Sequence, residues 1–195
     1  MSGRVFCIRH GETAWSRSGQ HTGRTDIPLT EQGERQAVLL GRRLAGREFS
    51  LVLTSPLQRA RETCRLAGYG GAAREEPDLR EWDYGVYEGR TTGEIRQEAP
   101  GWTIWSAAVR DGESADEVGA RGDRVIARCA EVGGDVALFA HGHVLRILAA
   151  RWLGLLASGG RYLALDAASL SVLGHEHEQR VIRSWNERYD LVEEP

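Results

Sequence analysis

The chain has 195 residues, 41% of them hydrophobic and 27% charged, with 25 basic residues against 28 acidic ones and a net charge of −3. That length fits one compact domain with a sizeable core, and the near-even charge balance excludes a broad basic face for gripping nucleic acid. Every basic residue is Arg and none is Lys, which excludes Schiff-base chemistry and a P-loop nucleotide site, both of which need a Lys amine.

Val5 to Ile8 is a short continuous apolar run, as in a buried strand. Residues 9 to 29 are rich in Gly, Thr, Ser, Asp and Arg and read as one long loop, of a length that is usually functional or disordered. Thr30 is placed to cap a helix running to about Gly46, with Ala37, Leu40 and Leu44 on its apolar face. Leu51-Val52-Leu53 reads as a second strand. Ser55-Pro56-Leu57-Gln58 follows as a capping box with Pro at the first helical position, opening a helix to about Ala67. Residues 68 to 89 are polar and irregular, and 91 to 108 read as one or two short helices. Ser114 to Glu117 is another capping box, opening a helix to about Val132. Asp135 to Ala140 reads as a third buried strand, and Val144 to Leu156 as the helix after it. Ser169 to Gly174 and Arg180 to Ser184 read as strands joined through His175 to Gln179.

Cys7, Cys64 and Cys129 are odd in number and far apart, as for buried thiols in a reducing cytoplasm. The longest apolar run, Ile147 to Ala157, is interrupted by Arg151 and is too short to span a bilayer. The Val5 to Ile8 run is too brief for a signal-peptide core. The expectation is a soluble, cytoplasmic protein.

Strands alternating with helices predict a layered α/β domain around a largely parallel sheet, whose ligands sit at the carboxyl ends of the strands. Three polar segments fall at that edge: Arg9-His10-Gly11 after the first strand, Ser55 to Arg59 after the second, and His141-Gly142-His143 after the third. Two Arg and two His converging near helix starts suit a tetrahedral oxyanion, and a neutral His there can attack phosphorus. The leaving oxygen needs an acid; Glu75, Glu76, Asp78, Glu81, Asp83 and Glu88 are all candidates, and spacing does not choose among them.

Arg9-His10-Gly11-Glu12-Thr13 resembles the signature of the histidine phosphatase superfamily, the phosphoglycerate mutase-like family. The likeness continues through Thr22-Gly23, Asp26, Leu29-Thr30, Gly33, Ser55-Pro56, Arg59-Ala60, Thr63, Leu79-Arg80-Glu81, Tyr84-Gly85, Glu88-Gly89, Gly112-Glu113-Ser114 and His141-Gly142-His143. It implies a three-layer α/β/α sandwich with a mostly parallel central sheet. It also implies one domain over 1–195, with a small cap-like segment at about 82–113. By the same resemblance His10 is the nucleophile, Arg9, Arg59 and His141 form the phosphate pocket, and Glu81 is the general acid that later activates water. Thr22 and Gly23 line the substrate side and the Gly142 N–H is a further donor, with Ser16, His143 and Tyr84 also at the substrate. No metal and no cofactor are required. The implied partner is a small phosphate ester, without nucleic acid or membrane, and a homodimer is compatible with this.

Mutases of the family carry a longer insertion with an adjacent Arg pair; here residues 90 to 113 hold Arg90, Arg96 and Arg110, never adjacent. Ser16 stands where mutases have Asn, and Trp82 where they have Arg, so water is favoured as the acceptor. The run from Leu79 to Gly89 resembles two phosphatase groups, mycobacterial acid phosphatases and fungal sedoheptulose-bisphosphatases, which implies a phosphomonoesterase working through phosphohistidine on sugar phosphates or other small phosphorylated metabolites. Phosphoglycerate mutase activity and a catalytically silent phospholigand-binding module are the alternatives. His21 divides between a substrate contact and an ordinary loop His, and Trp82, Trp102 and Trp105 between packing and substrate contact. His175 and His177 read as a solvated hairpin face, and Arg121, Arg124 and Arg128 as a solvated helix face.

Overall fold

The computed structural model describes residues 3–106 and 109–188. In chain order the main elements are β1 (Val5–Arg9), α1 (Ala14–Ser18), α2 (Glu31–Leu44), β2 (Leu51–Thr54), α3 (Gln58–Leu66), β3 (Ala73–Glu75), α4 (Thr92–Glu98), α5 (Ala115–Ala130), β4 (Val136–Ala140), α6 (Gly142–Trp152), β5 (Leu170–Glu176) and β6 (Gln179–Glu187). Short 3₁₀ turns cover Pro77–Leu79, Gly85–Tyr87 and Ala157–Tyr162.

The six strands form one sheet in the order β3-β2-β4-β1-β5-β6. β3, β2, β4 and β1 run parallel, β5 pairs antiparallel with β1, and β6 antiparallel with β5. Side chains alternate across a strand, so the inner strands are apolar on both faces. Val5, Cys7, Leu53 and Leu138 pack with α5 and α6 through Val118, Val125, Val144 and Leu148. Phe6, Ile8, Val52 and Phe139 pack on the opposite face with α2 and α3 through Leu40, Leu44 and Cys64. The result is the expected three-layer sandwich.

The Thr30 side chain accepts from Gly33 N–H, and Ser114 closes a capping box with Glu117; each such cap stabilises its helix by about 1 kcal/mol. Elsewhere the structure departs from expectation. The loop after β1 contains α1, opened by a capping box between Thr13 and Ser16. The irregular stretch after α3 contains β3, a short edge strand with charged residues that leave no apolar run to read. Ser55 does not cap α3. That helix begins at Gln58, and the Gln58 N–H is capped from outside by Asp26 Oδ1 at 2.8 Å. α6 starts two residues earlier than expected and ends at Trp152. The 91–108 segment holds the single helix α4, with residues 107 and 108 outside the described residues, as are the first two and last seven positions of the 1–195 expectation.

Candidate active site

Parallel pairing places the carboxyl ends of β1, β2 and β4 side by side. The ladder continues one residue past each outer strand: His10 N–H donates to Ala140 O at 3.0 Å, and Ser55 N–H to Phe139 O at 2.9 Å. His10, Ser55 and His141 are therefore neighbours because of sheet register. Gly11 N–H donates to Thr63 Oγ, and Thr63 Oγ–H donates to the Arg59 carbonyl, tying this edge to α3.

The His10 ring is buried, with Nδ1 2.7 Å from the Gly11 carbonyl. A carbonyl only accepts, so Nδ1 carries the proton and Nε2 presents its lone pair. Burial pushes the His10 pKa well below 6.5, and the nearby Arg59 and Arg9 cations push it further; the Gly11 bond opposes them. The ring is thus neutral and available for attack.

Arg9 donates Nη1–H to the Leu165 carbonyl. Its Nε is buried with no hydrogen-bond partner among the described residues. A buried N–H without an acceptor is costly, and here it calls for an anionic oxygen. Gly142 lies against this guanidinium, with an added Cβ 3.4 Å from Arg9 Cζ and Nε. Gly142 also opens α6, where the first N–H groups have no partner inside the helix.

Arg59 is fully buried and packed with partners. It donates through Nε to His141 Nδ1 at 3.1 Å, through Nη1 to Thr25 O at 3.0 Å, and through Nη2 to Thr22 O and Gly23 O, both at 3.0 Å. His141 Nδ1 accepts that bond, so its proton sits on Nε2, 2.7 Å from Ser55 Oγ. Burial first, then Arg59, drives the His141 pKa well below 6.5. Its ring lies 5.1 Å from that of His10, centroid to centroid.

Glu81 is buried, and its carboxyl accepts three backbone N–H groups. Oε1 takes those of Trp82 at 3.0 Å and Val144 at 2.9 Å, while Oε2 takes that of His143 at 3.0 Å. Two of these donors belong to the first turn of α6. Glu81 therefore caps the helix that carries Gly142 and His143.

A cavity of about 180 Å³ joins these groups. Arg9, His10, Glu81 and Gly142 line it together with Ser16, Thr22, Tyr84 and His143. Arg59, His141 and Gly23 are not among the lining residues; their bonds hold them behind the wall. Gly23 differs most from expectation. Its N–H is taken by the Glu88 carboxylate at 2.8 Å, and a Cβ there would meet Trp82 O at 2.5 Å, so close packing requires Gly23. Ser16 lines the cavity, and its Oγ closes the α1 capping box. Tyr84 O–H and His143 Nδ1 are 2.6 Å apart. Burial raises the Tyr84 pKa well above 10 and lowers that of His143 well below 6.5, the latter aided by Arg146.

Sequence reasoning missed Gln20, Arg146 and Leu165, and left His21 open; all four line the cavity. Arg146 had a readable signal, lying one helical turn past Gly142. Its guanidinium sits over Trp105, 4.7 Å from the ring centroid. Trp82 is core, with Nε1–H donating to Glu113 O. Trp102 and Trp105 back the rim, 5.5 Å from His21 and 5.1 Å from His143 by ring centroid. Arg121 is not a solvated residue: it pairs with Glu113 and donates to the Asp78 and Arg80 carbonyls. A larger groove of about 770 Å³ beside Pro28, Gln58 and Glu75 lies away from both histidines.

Residues 5–188 match the model of the histidine phosphatase superfamily, branch 1. The chain belongs to this superfamily. Phosphoryl transfer through a phosphohistidine is general to histidine phosphatases, and the chain is a histidine-type phosphatase. It is 42% identical over 183 residues to an acid phosphatase of Mycobacterium tuberculosis, covering 91% of this chain and 89% of that one. It is 37% identical over 188 residues to the sedoheptulose 1,7-bisphosphatase of Saccharomyces cerevisiae, covering 80% and 69%. A solved structure of an open reading frame product from M. tuberculosis matches with a TM-score of 0.90 at 37% identity, covering 96% of this chain and 99% of that one. Among the described residues, no helix is long and apolar enough to cross a membrane.

Proposed function

We propose that this histidine phosphatase hydrolyses small phosphate monoesters, sugar phosphates among them, by carrying the phosphoryl group on His10 Nε2. The observation that carries this is the His10 ring itself: its proton is fixed on Nδ1 by Gly11 O, and burial beside two guanidinium groups keeps it neutral. In the first step a bond forms from Nε2 to phosphorus, the ester P–O bond breaks, and Glu81 gives a proton to the departing oxygen. In the second, water attacks phosphorus, its proton returns to Glu81, the N–P bond breaks and phosphate leaves. Glu81 Oε2 holds one N–H bond against two at Oε1, which makes Oε2 the oxygen that handles the proton.

Arg9 Nε and the Gly142 N–H supply donors to the transferring group, where fixed dipoles stabilise developing charge without reorganisation. Arg59 and His141 act from behind, Arg59 through its charge and both through the loop and strand ends they hold. Thr22, Ser16, Tyr84 and His143 face the alcohol portion, and segment 82–113 caps this side of a single domain. The sugar-phosphate class draws support from the yeast bisphosphatase relative. A cytoplasmic setting fits the three free, buried thiols; a homodimer and the absence of a nucleic-acid partner belong to the same proposal.

The test is rapid-quench trapping with labelled p-nitrophenyl phosphate, alongside a screen of sugar phosphates and 3-phosphoglycerate. An acid-labile protein-bound phosphoryl group is expected in the wild type and not in His10→Ala, with phosphate as product. Full turnover by His10→Ala would refute the proposal, and isomerised phosphoglycerate as the main product would make the protein a mutase.

A further inference from the structure

Arg9 is aimed by a carbonyl, and that carbonyl belongs to a loop held from the far edge of the sheet. Leu165 O accepts from Arg9 Nη1, and Leu165 lies in the segment between the Ala157–Tyr162 turn and β5. The same segment grips the β1 end twice more: Arg9 N–H donates to Ser169 O at 3.1 Å, and Ala168 N–H donates to His10 O at 2.9 Å. The nucleophile and the orphaned Arg9 donor therefore take their positions from residues 165–169.

Asn186 of β6 fastens that segment. Its side-chain oxygen accepts from Asp166 N–H at 2.7 Å, and its Nδ2 donates to Asp166 Oδ2 at 3.0 Å. Its own N–H donates to Ser171 Oγ at 2.9 Å. Asn186 sits at φ 57°, in the left-handed region, which Asn tolerates better than other side-chain residues. This conformation accompanies the register shifts in the β5–β6 pairing between Leu170 and Leu173, and from it the amide reaches back to Asp166. Asp166 in turn adds to the negative charge that Arg9 feels.

We infer that Asn186 is a positioning residue for phosphoryl binding, acting through Asp166 and the Leu165 carbonyl on the Arg9 guanidinium. The inference rests on the phosphatase reading above and extends it to a residue that touches no substrate. A side chain that only stabilised the hairpin would change melting behaviour and leave phosphate affinity alone. A residue that aims Arg9 changes affinity for the phosphoryl group, and the change disappears once Arg9 is gone.

The experiment is a double-mutant cycle with Asn186→Gly, which keeps the backbone angle accessible, and Arg9→Gln, using the full chain. Kd for orthovanadate and inorganic phosphate is measured by calorimetry, and KM and kcat with p-nitrophenyl phosphate. Asn186→Gly is expected to weaken vanadate binding and raise KM about tenfold, within the range found for coupled neighbours, and to have less than a twofold effect in the Arg9→Gln background. Asn186→Asp, which keeps an acceptor for Asp166 N–H but puts charge beside the Asp166 carboxylate, is expected to fall between wild type and Asn186→Gly. A lowered Tm with unchanged vanadate Kd and KM would overturn the inference, as would equal losses in both backgrounds. If the wild type turned over no ester, the phosphatase reading would fail, while the calorimetric cycle would still decide the coupling of Asn186 to Arg9.

Discussion

Replacing Arg59 by Met keeps most of the side-chain volume and removes every donor. Four acceptors then lose a partner together: the carbonyls of Thr22, Gly23 and Thr25, and Nδ1 of His141. A hydrogen bond to a charged group contributes roughly 1.5–3 kcal/mol, and a buried acceptor left bare costs about 1–3 kcal/mol. Four such losses are not additive, because the freed loop can move towards water and the cost of burying the guanidinium disappears. A net loss of about 3–5 kcal/mol follows, a large part of the stability of a typical domain. The same change removes one of the two cations that depress the His10 pKa, so protonation of the nucleophile moves up towards 6.5 and activity on the acid side falls. Urea denaturation with fluorescence detection measures the first effect, and the acid limb of the kcat/KM profile the second. Stability within about 0.5 kcal/mol of wild type, the scatter of ordinary surface substitutions, would refute the bonding scheme drawn for Arg59.

Glu81→Gln is expected to slow hydrolysis most for esters with poor leaving groups; equal losses for nitrophenyl and alkyl phosphates would count against Glu81 as the proton donor. His10, His141 and His143 all have pKa values held well below 6.5 by burial. The unfolded chain therefore binds protons at these rings that the folded chain refuses, and stability should fall as pH drops below about 6.5; a flat urea midpoint between pH 7 and pH 5 would contradict this. Gly23→Ala places a methyl carbon against Trp82 O and the Glu88 carboxylate; a cost of about 1–3 kcal/mol, with loss of phosphate affinity as Arg59 shifts, is expected by denaturation and calorimetry.

The strands that bring the histidines together were legible because each inner strand is an apolar run followed by a polar segment. The two capping threonine and serine positions, Thr30 and Ser114, were legible for the same local reason. Ser55 was misread because its residue type suits a cap, while its hydroxyl is claimed by His141 from a different strand. Glu81 shows the converse: it caps α6 from about sixty positions upstream, and no spacing rule reaches that far. The bonds that Arg59 makes were not legible either, because its donors are satisfied by loop carbonyls that have no side-chain signature in the sequence. Gln20, His21 and Arg146 went unassigned because their place on the wall depends on how the 13–22 loop and α6 meet, which is a tertiary fact.

The rim of the cavity is held largely by main-chain atoms. His21 is fixed through its N–H to Arg90 O and its carbonyl to Gly89 N–H, Gln20 through its N–H to Trp15 O, and Thr22 through its carbonyl to Arg59. Gln20 adds a side-chain bond from Nε2 to Gly89 O at 2.7 Å, while the main-chain bonds at His21 and Thr22 do not depend on which side chain those positions carry. Preference for one ester over another can thus drift by substitution at the rim while the phosphoryl-handling groups stay fixed, a division of labour that lets one scaffold diversify its diet at little cost to its chemistry.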